Sequence, residues 1–261
     1  AGKQKTTKAK SFLSESIRSN AQKIDEKLSS IKVCDPAIGS GAFPVGMMNE
    51  IIRARNVLSN FIKGNNRSPY RFKRECIENS LYGVDIDSGA VEIAKLRLWL
   101  SLVVDEDDIK QIKPLPNLDY KIVCGNSLIG FPDGWDSPVT KEIECLKHKF
   151  ISETNPTKKN ELKKQIDGKI NDRYKNSLKT FGYEINFDFC TAFSEVFHEK
   201  GGFDVVIANP PYVSNKKMHK NKMQDEIFIY KELFFSMESG NTDIYVLFIE
   251  KSLSLIKKQA T

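Results

Sequence analysis

The sequence predicts an α/β fold with a doubly wound, mostly parallel sheet and a helical insertion. Four short runs are rich in β-branched residues, and each ends in a polar or glycine-containing turn, as buried parallel strands do at the edge that meets a ligand. These runs are residues 31–35, 81–85, 120–124 and 203–208. Segments with helical spacing separate them, and such alternation is typical of a parallel sheet whose ligand lies beyond the carboxyl ends of the strands.

Size and composition fit a globular protein. The chain has 261 residues, of which 40% are apolar and 28% charged, so a sizeable core is possible and the disordered and fibrous classes are excluded. No apolar run approaches the roughly 20 residues that a membrane span needs, and we expect no membrane partner. The five cysteines are scattered and form no Cys-x-x-Cys pair, which favours reduced cytosolic thiols without a metal site.

The helices before the third strand follow from periodicity. Residues 1–10 are predicted to be a mobile lead, and residues 11–28 an introductory helix. Residues 45–58 show helical spacing after the first strand. Residues 88–104 place apolar side chains at i, i+3, i+7 and i+11 after the second strand, so one face of that helix is expected to be buried.

Residues 131–200 show helical spacing without a strand signal and are predicted to be the helical insertion between two strands. A turn containing proline and glycine opens this segment, and two helices lie on either side of Asn155-Pro156. The second has apolar residues at steps of four over 162–178, so we expect it to pack on a neighbouring helix. Residues 242–256 form a last apolar helix. No strand signal follows it, and we expect the chain to be a fragment of a longer protein.

The first candidate site is the turn after the first strand, where residues 35–43 read Asp-Pro-Ala-Ile-Gly-Ser-Gly-Ala-Phe. Gly39 and Gly41 allow a sharp turn and let a ligand approach main-chain atoms. The third glycine of a dinucleotide loop and the Gly-Lys-Ser/Thr ending of a P-loop are both missing, which disfavours a pyrophosphate ligand. The acidic strand end at Asp35 suits an amine or a sulfonium cation, although an ordinary tight turn has the same glycine spacing.

Two further turns follow the second and third strands. Asp85 ends the second strand, where a carboxylate can accept both hydroxyls of a ribose, and Ile86 then offers an apolar face to an adenine ring. Asp87 independently suits the cap of the next helix. After the third strand, the amide of Asn126 can pair with the nitrogens of an adenine, although Gly-Asn is also common turn chemistry.

The most specific feature is Asn209-Pro210-Pro211-Tyr212, directly after the fourth strand. The prolines fix the backbone and remove two donors, so local carbonyls stay free to accept hydrogen bonds. The amide oxygen of Asn209, the carbonyl of Pro210 and the ring of Tyr212 can together clamp a planar group that carries an NH2. A proline-rich turn explains the prolines, but not a polar and an aromatic residue at the ligand edge.

The net charge of +6, from 40 Lys and Arg against 34 Asp and Glu, is concentrated in two windows. Residues 158–180 carry a net +5 and residues 213–223 a net +4. The basic residues of the second window are Lys216, Lys217, Lys220 and Lys222. Charge alone fits solvated surfaces, but the second window adjoins residues 209–212, and this position favours contact with a polyanion such as DNA.

In this order, the segments resemble the S-adenosylmethionine-dependent DNA adenine-N6 methyltransferases. They look most like the methyltransferase module of type IIG restriction-modification enzymes and related phage-defence proteins. The matching segments are DPAIGSGAF, GVDID, GNS and GGFDVVIANPPY, and the resemblance covers residues 31–130 and 190–256. It departs at Ile38, where the family usually has Cys, and at Asn126, which is often Asp in relatives.

The resemblance implies a Rossmann-like class I methyltransferase fold, S-adenosylmethionine as cofactor, DNA as partner and no metal. The residues implied in cofactor binding are Asp35, Pro36, Ala37, Gly39, Gly41, Phe43, Asp85, Ile86, Asn126 and Leu128. Those implied in catalysis are Asn209, Pro210, Pro211 and Tyr212. Asn209 and the Pro210 carbonyl would accept hydrogen bonds from the target N6 amine, and Tyr212 would stack on the target base.

The resemblance also implies an organisation and a setting. The predicted units are a lead and helix (1–30), a cofactor-binding half (31–130), the insertion (131–200) and a truncated catalytic half (201–261). A cytoplasmic, nucleoid-associated protein is expected, with remaining domains of the same polypeptide that recognise the target and, as one alternative, cleave DNA. Two other functions stay open: methylation of a protein glutamine amide or an RNA base, and binding of cofactor or DNA by a fragment that is inactive in isolation.

Overall fold

The computed structural model describes residues 13–63, 67–104, 118–132, 138–220, 223–237 and 242–258. Within these ranges, four strands form an all-parallel sheet in the spatial order β3-β2-β1-β4. The strands are β1 (Val33–Asp35), β2 (Leu81–Asp85), β3 (Ile122–Cys124) and β4 (Val205–Val206). The predicted α/β class with a parallel sheet is confirmed. Strands β2 and β3 are added successively on one side of β1, and β4 lies on the other side of β1. The order of the strands therefore reverses between β1 and β4, and ligands of doubly wound sheets bind at such a point.

The helices of the described ranges fall into three groups along the chain. Those before β3 are α1 (Glu15–Ser19), α2 (Ala21–Ser29), α3 (Ala42–Leu58), α4 (Pro69–Asn79) and α5 (Ser88–Val103). Those between β3 and β4 are α6 (Pro138–Ser152), α7 (Pro156–Tyr174), α8 (Ser177–Phe181), α9 (Phe189–Ala192) and α10 (Ser194–Lys200). After β4 come α11 (Asn215–Lys220), α12 (Gln224–Leu233), a 3-10 helix (Phe235–Met237) and α13 (Ile244–Leu255). None of these helices combines the length and apolar character that crossing a membrane requires.

Both faces of the sheet are buried. Val33, Leu81 and Ile122 belong to one apolar cluster with residues of α3, α4 and α5. The alternate residues of the strands, among them Tyr82, belong to a second cluster that is rich in phenylalanine. Tyr82 packs edge-on against Phe193 with ring centroids 5.1 Å apart. Burial on both sides explains why the strands are apolar runs without polar alternation.

The segment predicted as an insertion contains two different structural parts. The helices α6 and α7 pack on each other through Ile143, Phe150 and Ile166. The helix α7 ends at Tyr174, earlier than the stripe over 162–178 indicated, and α8 follows as a separate helix. The helices α9 and α10 instead cover a face of the sheet through Phe193 and neighbouring residues. The domain boundaries themselves stay a prediction.

Several element boundaries differ from the prediction. The introductory helix is interrupted at Asn20, and residues 1–12 lie outside the described ranges. The helix predicted from residue 45 begins at Ala42. The fourth strand comprises only Val205–Val206 and is much shorter than 203–208; at its start, the backbone N–H groups of Asp204 and Val205 both donate to the carbonyl of Lys32.

No strand follows the last helix within the described residues, but the chain there still pairs with the segment that leads into β4. Helix α13 ends at Leu255, and Ile256 forms a parallel bridge with Phe203. The Phe203 N–H donates to the Leu255 carbonyl at 2.9 Å, and the Lys257 N–H donates to the Phe203 carbonyl at 3.0 Å. The chain after α13 therefore returns to the sheet beside the residues that lead into β4.

Candidate active site

A cleft of about 420 Å³ lies where the segments after β1, β2, β3 and β4 meet. All four segments follow the carboxyl ends of their strands, as expected for a ligand site of a parallel sheet. The predicted site residues that line it are Pro36, Ala37, Gly39, Asp85, Ile86, Asn126, Leu128, Asn209 and Pro211. Segments far apart in the sequence are thus brought together around one space.

The turn after β1 depends on its glycines. Gly41 has a φ of 80° and precedes the first residue of α3. A Cβ at Gly41 would also lie 3.1 Å from the backbone of Ala94 in α5, so a side chain there is both strained and crowded. Gly39 has a φ of 50°, and a Cβ on it would meet no protein atom within 4 Å. The turn therefore packs closely on α5 at Gly41 and leaves free space at Gly39, which lines the cleft.

Hydrogen bonds tie the turns after the first three strands to one another. The Gly39 N–H donates to Asp85 Oδ2 at 2.8 Å, and the Asp87 N–H donates to Asp85 Oδ1 at 3.0 Å. The Ser127 hydroxyl donates to the Pro36 carbonyl at 2.6 Å in a buried contact. Asp85 therefore orients the first turn as well as its own, and Ser127 joins the third turn to the first.

Asp35 occupies an unusual position for a carboxylate. Its side chain is 1% exposed and is not part of the cleft lining. Oδ1 accepts the Ala37 N–H at 3.0 Å, whereas Oδ2 is buried and has no hydrogen-bond partner among the described residues. Burial raises the pKa of Asp35 to about 7; the Ala37 N–H opposes this rise, and the charge of Asp85 adds to it.

The cleft is also lined by residues outside the predicted set, most of which the sequence did not indicate. Its residues beyond the predicted set are Gly125, Ser127, Met223, Glu226, Tyr230, Ile244 and Phe248. Gly125 and Ser127 flank the predicted Asn126, and a Cβ at Gly125 would lie 2.3 Å from the side chain of Phe187. Of the other five, Met223 precedes α12, two belong to α12 and two to α13. A helical pattern in the sequence does not distinguish residues of a cleft wall from residues of the core.

The segment after β4 carries the Asn-Pro-Pro-Tyr motif at an exposed edge. Asn209 and Pro211 line the cleft, whereas Pro210 and Tyr212 do not. The Tyr212 side chain is 77% exposed, and its hydroxyl donates to Asn209 Oδ1 at 3.4 Å. The Val213 carbonyl accepts the N–H of Ile244 at 3.0 Å, which ties the end of the motif to the start of α13.

The predicted basic residues follow this motif on α11. Met218 is fully buried and anchors the helix in the apolar cluster that also contains Tyr230. Lys216, Lys217 and Lys220 are exposed, and Lys222 lies outside the described residues. By contrast, lysines of α7 take part in ion pairs, such as the pair of Lys163 with Asp119 at 3.1 Å.

Some predicted site residues lie outside the cleft lining. They are Asp35, Gly41, Phe43, Pro210, Tyr212 and the three described lysines. Phe43 lies on the first turn of α3 and is 42% exposed. Within the described ranges, no cluster of three or more His, Cys, Asp or Glu residues is arranged to hold a metal ion.

Comparison with known proteins identifies the family. The model of the Eco57I restriction-modification methylase family matches residues 79–261. Over 112 residues the chain is 41% identical to a putative type II restriction enzyme and methyltransferase of Methanocaldococcus jannaschii. This alignment covers 41% of the chain but only 9% of that much longer relative. The family match includes β2, β3, β4 and most of the cleft, and the chain belongs to the Eco57I restriction-modification methylase family.

Proposed function

We propose that this chain transfers a methyl group from S-adenosylmethionine to the N6 amine of adenine in DNA, as the modification module of a larger type IIG restriction-modification or defence enzyme. One observation carries the proposal. The cleft is lined both by the tied turns after β1, β2 and β3 and by Asn209 and Pro211 after β4. A methyl donor and an acceptor amine held in one cleft meet with a large entropic advantage over free encounter.

The first three turns fit the proposed cofactor. Asp35 does not line the cleft but directly precedes Pro36, which does; its buried, unpartnered Oδ2 would suit the amine of a methionine moiety that displaces part of what covers it, because a buried acceptor without a donor is unfavourable until one is supplied. Free space at Gly39 leaves room for the methionine moiety of the cofactor to lie against the protein backbone. Asp85 retains lone pairs for ribose hydroxyls, and the 72% exposed side chain of Ile86 offers an apolar face to a base. When bound, S-adenosylmethionine supplies an electrophilic methyl group.

The fourth segment provides acceptors for an amine. The N6 lone pair of adenine is delocalised into the ring, which makes it a poor nucleophile. Asn209 Oδ1 and the Pro210 carbonyl, by accepting its two hydrogens, would localise that lone pair on nitrogen. Proline at 210 and 211 removes backbone N–H donors that would compete for these oxygens. Orientation and electrostatics therefore supply the acceleration without a covalent nucleophile.

An adenine in a duplex must leave the base stack to reach this cleft, which costs a few kcal/mol. The exposed ring of Tyr212 lies beside Asn209 and can stack on the extruded base, which contributes about 1–3 kcal/mol in comparable sites. Lys216, Lys217 and Lys220 on the adjoining helix α11 are exposed, and in this proposal they contact backbone phosphates.

The decisive experiment is transfer of a labelled methyl group by the full-length protein, followed by nucleoside analysis of the DNA. N6-methyladenine is the expected product, and Asn209→Ala serves as a control with a strongly lowered rate of transfer. Label in a protein glutamine amide or in RNA would replace the proposal with the corresponding alternative. The same assay on residues 1–261 alone tests whether the chain turns over in isolation or only binds cofactor and DNA.

A further inference from the structure

The charged residues that line the cleft are acidic. They are Asp85, which ends β2, and Glu226 of α12, and the described residues contribute no lysine, arginine or histidine to the lining. The whole chain, by contrast, has a net charge of +6. The cleft therefore has the opposite sign of charge from the protein as a whole, and its low-dielectric walls concentrate the field of the two carboxylates inside it.

The two carboxylates differ in their contacts with the protein. Both oxygens of Asp85 accept backbone N–H groups, Oδ2 that of Gly39 and Oδ1 that of Asp87. The carboxylate of Glu226 is partly exposed and forms no hydrogen bond or ion pair with another described residue. Since no cation or N–H group of the described residues compensates the charge of Glu226, this charge is available to a ligand in the cleft.

The position of Glu226 also stabilises its own helix. Asp225 and Glu226 both lie in the first turn of α12, where an acidic side chain interacts favourably with the helix dipole. Only Glu226 lines the cleft, whereas Asp225 is exposed and lies outside the lining. The helix terminus accounts for an acid at either position, but it does not account for the one that shares the cleft lining with Met223 and Phe248.

The proposed methyl donor and its product differ in charge. S-adenosylmethionine carries one more positive charge than S-adenosylhomocysteine, because its sulfur is a sulfonium and that of the product is a neutral thioether. A sulfonium has no N–H or O–H group to donate, so a protein distinguishes it from the thioether chiefly through electrostatic attraction. An acidic cleft without a lining cation is suited to this distinction.

We propose that Glu226 is a specificity-determining residue that favours the cationic S-adenosylmethionine over the neutral S-adenosylhomocysteine in the cleft. The inference rests on the proposed function, since it assumes that an adenosyl cofactor occupies this cleft. It adds a residue of α12 to those that hold the cofactor. Because the product lacks the charge that Glu226 attracts, the same carboxylate helps the methyl donor to replace the product after each transfer.

The test is calorimetric titration of the full-length protein with S-adenosylmethionine, S-adenosylhomocysteine and sinefungin, a stable analogue in which an ammonium group replaces the methyl sulfonium charge. Glu226→Gln removes the charge and keeps the shape of the side chain. A compact cleft of about 420 Å³ is roughly 9 Å across, and a unit charge acting over this distance at an effective dielectric constant of about 40 changes affinity roughly fivefold. Glu226→Gln is therefore expected to weaken binding of the two cationic ligands roughly 3- to 10-fold, and that of S-adenosylhomocysteine less than about twofold.

Asp225→Asn is the matched control. It removes the same charge from the same helical turn but outside the cleft lining, and we expect an unchanged ratio of affinities for S-adenosylmethionine and S-adenosylhomocysteine. Glu226→Asp keeps the charge and is expected to keep most of the ratio, whereas a purely structural role would weaken all three ligands alike. A further measurement needs no substitution: added salt is expected to lower this ratio in the wild-type protein, because it screens the carboxylate.

Three results would overturn the inference: an unchanged ratio in Glu226→Gln, an equal change of the ratio in Asp225→Asn, or a wild-type ratio that does not respond to salt. If wild-type protein binds the adenosyl ligands and Glu226→Gln leaves the ratio unchanged, only the role of Glu226 fails. If wild-type protein binds no adenosyl ligand at all, the cofactor assignment under the proposed function fails together with it.

Discussion

The turns after β1, β2 and β3 and the segment after β4 meet at one cleft but are held in different ways. The three turns are joined by hydrogen bonds such as Gly39 to Asp85 and Ser127 to Pro36, the latter in a buried contact. The motif after β4 is exposed, and its described hydrogen bonds are few. A small ligand that is enclosed benefits from a pre-formed site, whereas a macromolecule can only approach a site that remains open.

Exposure of the fourth segment does not imply a loose backbone. Two consecutive prolines restrict φ and reduce the entropy of the unfolded chain, so they stabilise a fixed conformation without buried contacts. The first three turns obtain rigidity from interactions with their surroundings, and the fourth obtains it from its own covalent structure. Substitutions in the two regions should consequently alter different properties.

Asn209→Ala should produce the largest effect. Loss of one acceptor for the target amine is expected to lower the rate of methyl transfer about 100- to 1000-fold, by analogy with removal of one group that stabilises charge in a transition state. Labelled methyl transfer measures the rate, and calorimetry should show nearly unchanged cofactor affinity. Asn60→Ala, which lies outside the cleft lining, is the control. Full activity in Asn209→Ala would remove this residue from the catalytic group.

Asp85→Ala should show the opposite division between binding and rate. The carboxylate makes charged hydrogen bonds, each contributing about 1.5–3 kcal/mol, so cofactor affinity is expected to fall roughly 10- to 150-fold. The neighbouring Asp87→Ala is the matched control: its Oδ1 accepts the Gly89 N–H at 2.8 Å as a helix cap. That variant should lose about 1 kcal/mol of stability and no affinity. Equal losses of affinity in both variants would contradict the role of Asp85.

Charge reversal of Lys216, Lys217 and Lys220 tests the open side of the cleft. Each lost phosphate contact lowers the slope of log affinity against log salt by about 0.9, so the triple variant is expected to show a slope smaller by up to about 3. DNA binding measured across a salt series provides this slope. Charge reversal of the exposed Lys158, Lys164 and Lys179 on α7 and α8 changes the net charge by the same amount and is the control. An unchanged slope in the triple variant would mean that the lysines of α11 are merely solvated.

The raised pKa of Asp35 makes the stability of the protein depend on pH. Because burial raises its pKa to about 7 from about 3.8, the folded protein binds more protons than the unfolded chain between these values. Stability should therefore fall as pH rises through this window, by at most about 1.4 kcal/mol per pH unit. Denaturant unfolding at several pH values should show this fall in wild-type protein and not in Asp35→Asn. Parallel profiles for the two proteins would contradict the prediction.

The sequence predicted the site best where polar or glycine residues directly follow a predicted strand. The strand 81–85 was predicted with its observed bounds, and nine predicted site residues share one cleft because parallel strands end at a common edge. The role of each residue stays a prediction. The start of β4 was not predictable, since the N–H groups of Asp204 and Val205 share the carbonyl of Lys32, a residue distant in sequence. Tyr230 was missed because helical periodicity does not show which buried residue faces a cleft.

The burial of Asp35 could not be predicted from the sequence either. An aspartate at the end of a strand indicates a ligand contact, but the pattern does not show that one carboxylate oxygen is enclosed by neighbouring segments. Burial depends on the packing of segments from distant parts of the chain, and periodicity reports only on the element that contains the residue.

Helix α13 sets the span of residues 203–213, which contain β4 and the Asn-Pro-Pro-Tyr motif. The residue that leads into β4, Phe203, is bonded to the end of this helix, and Val213 is bonded to its start. A helix of twelve residues is about 18 Å long, whereas the eleven residues 203–213 reach about 36 Å when extended. The segment is therefore about twice as long as the distance it bridges, and it must bend between its two attachments. Lengthening α13 by one turn would add about 5 Å to this distance and straighten the bend, so the length of this helix constrains the position of Asn209.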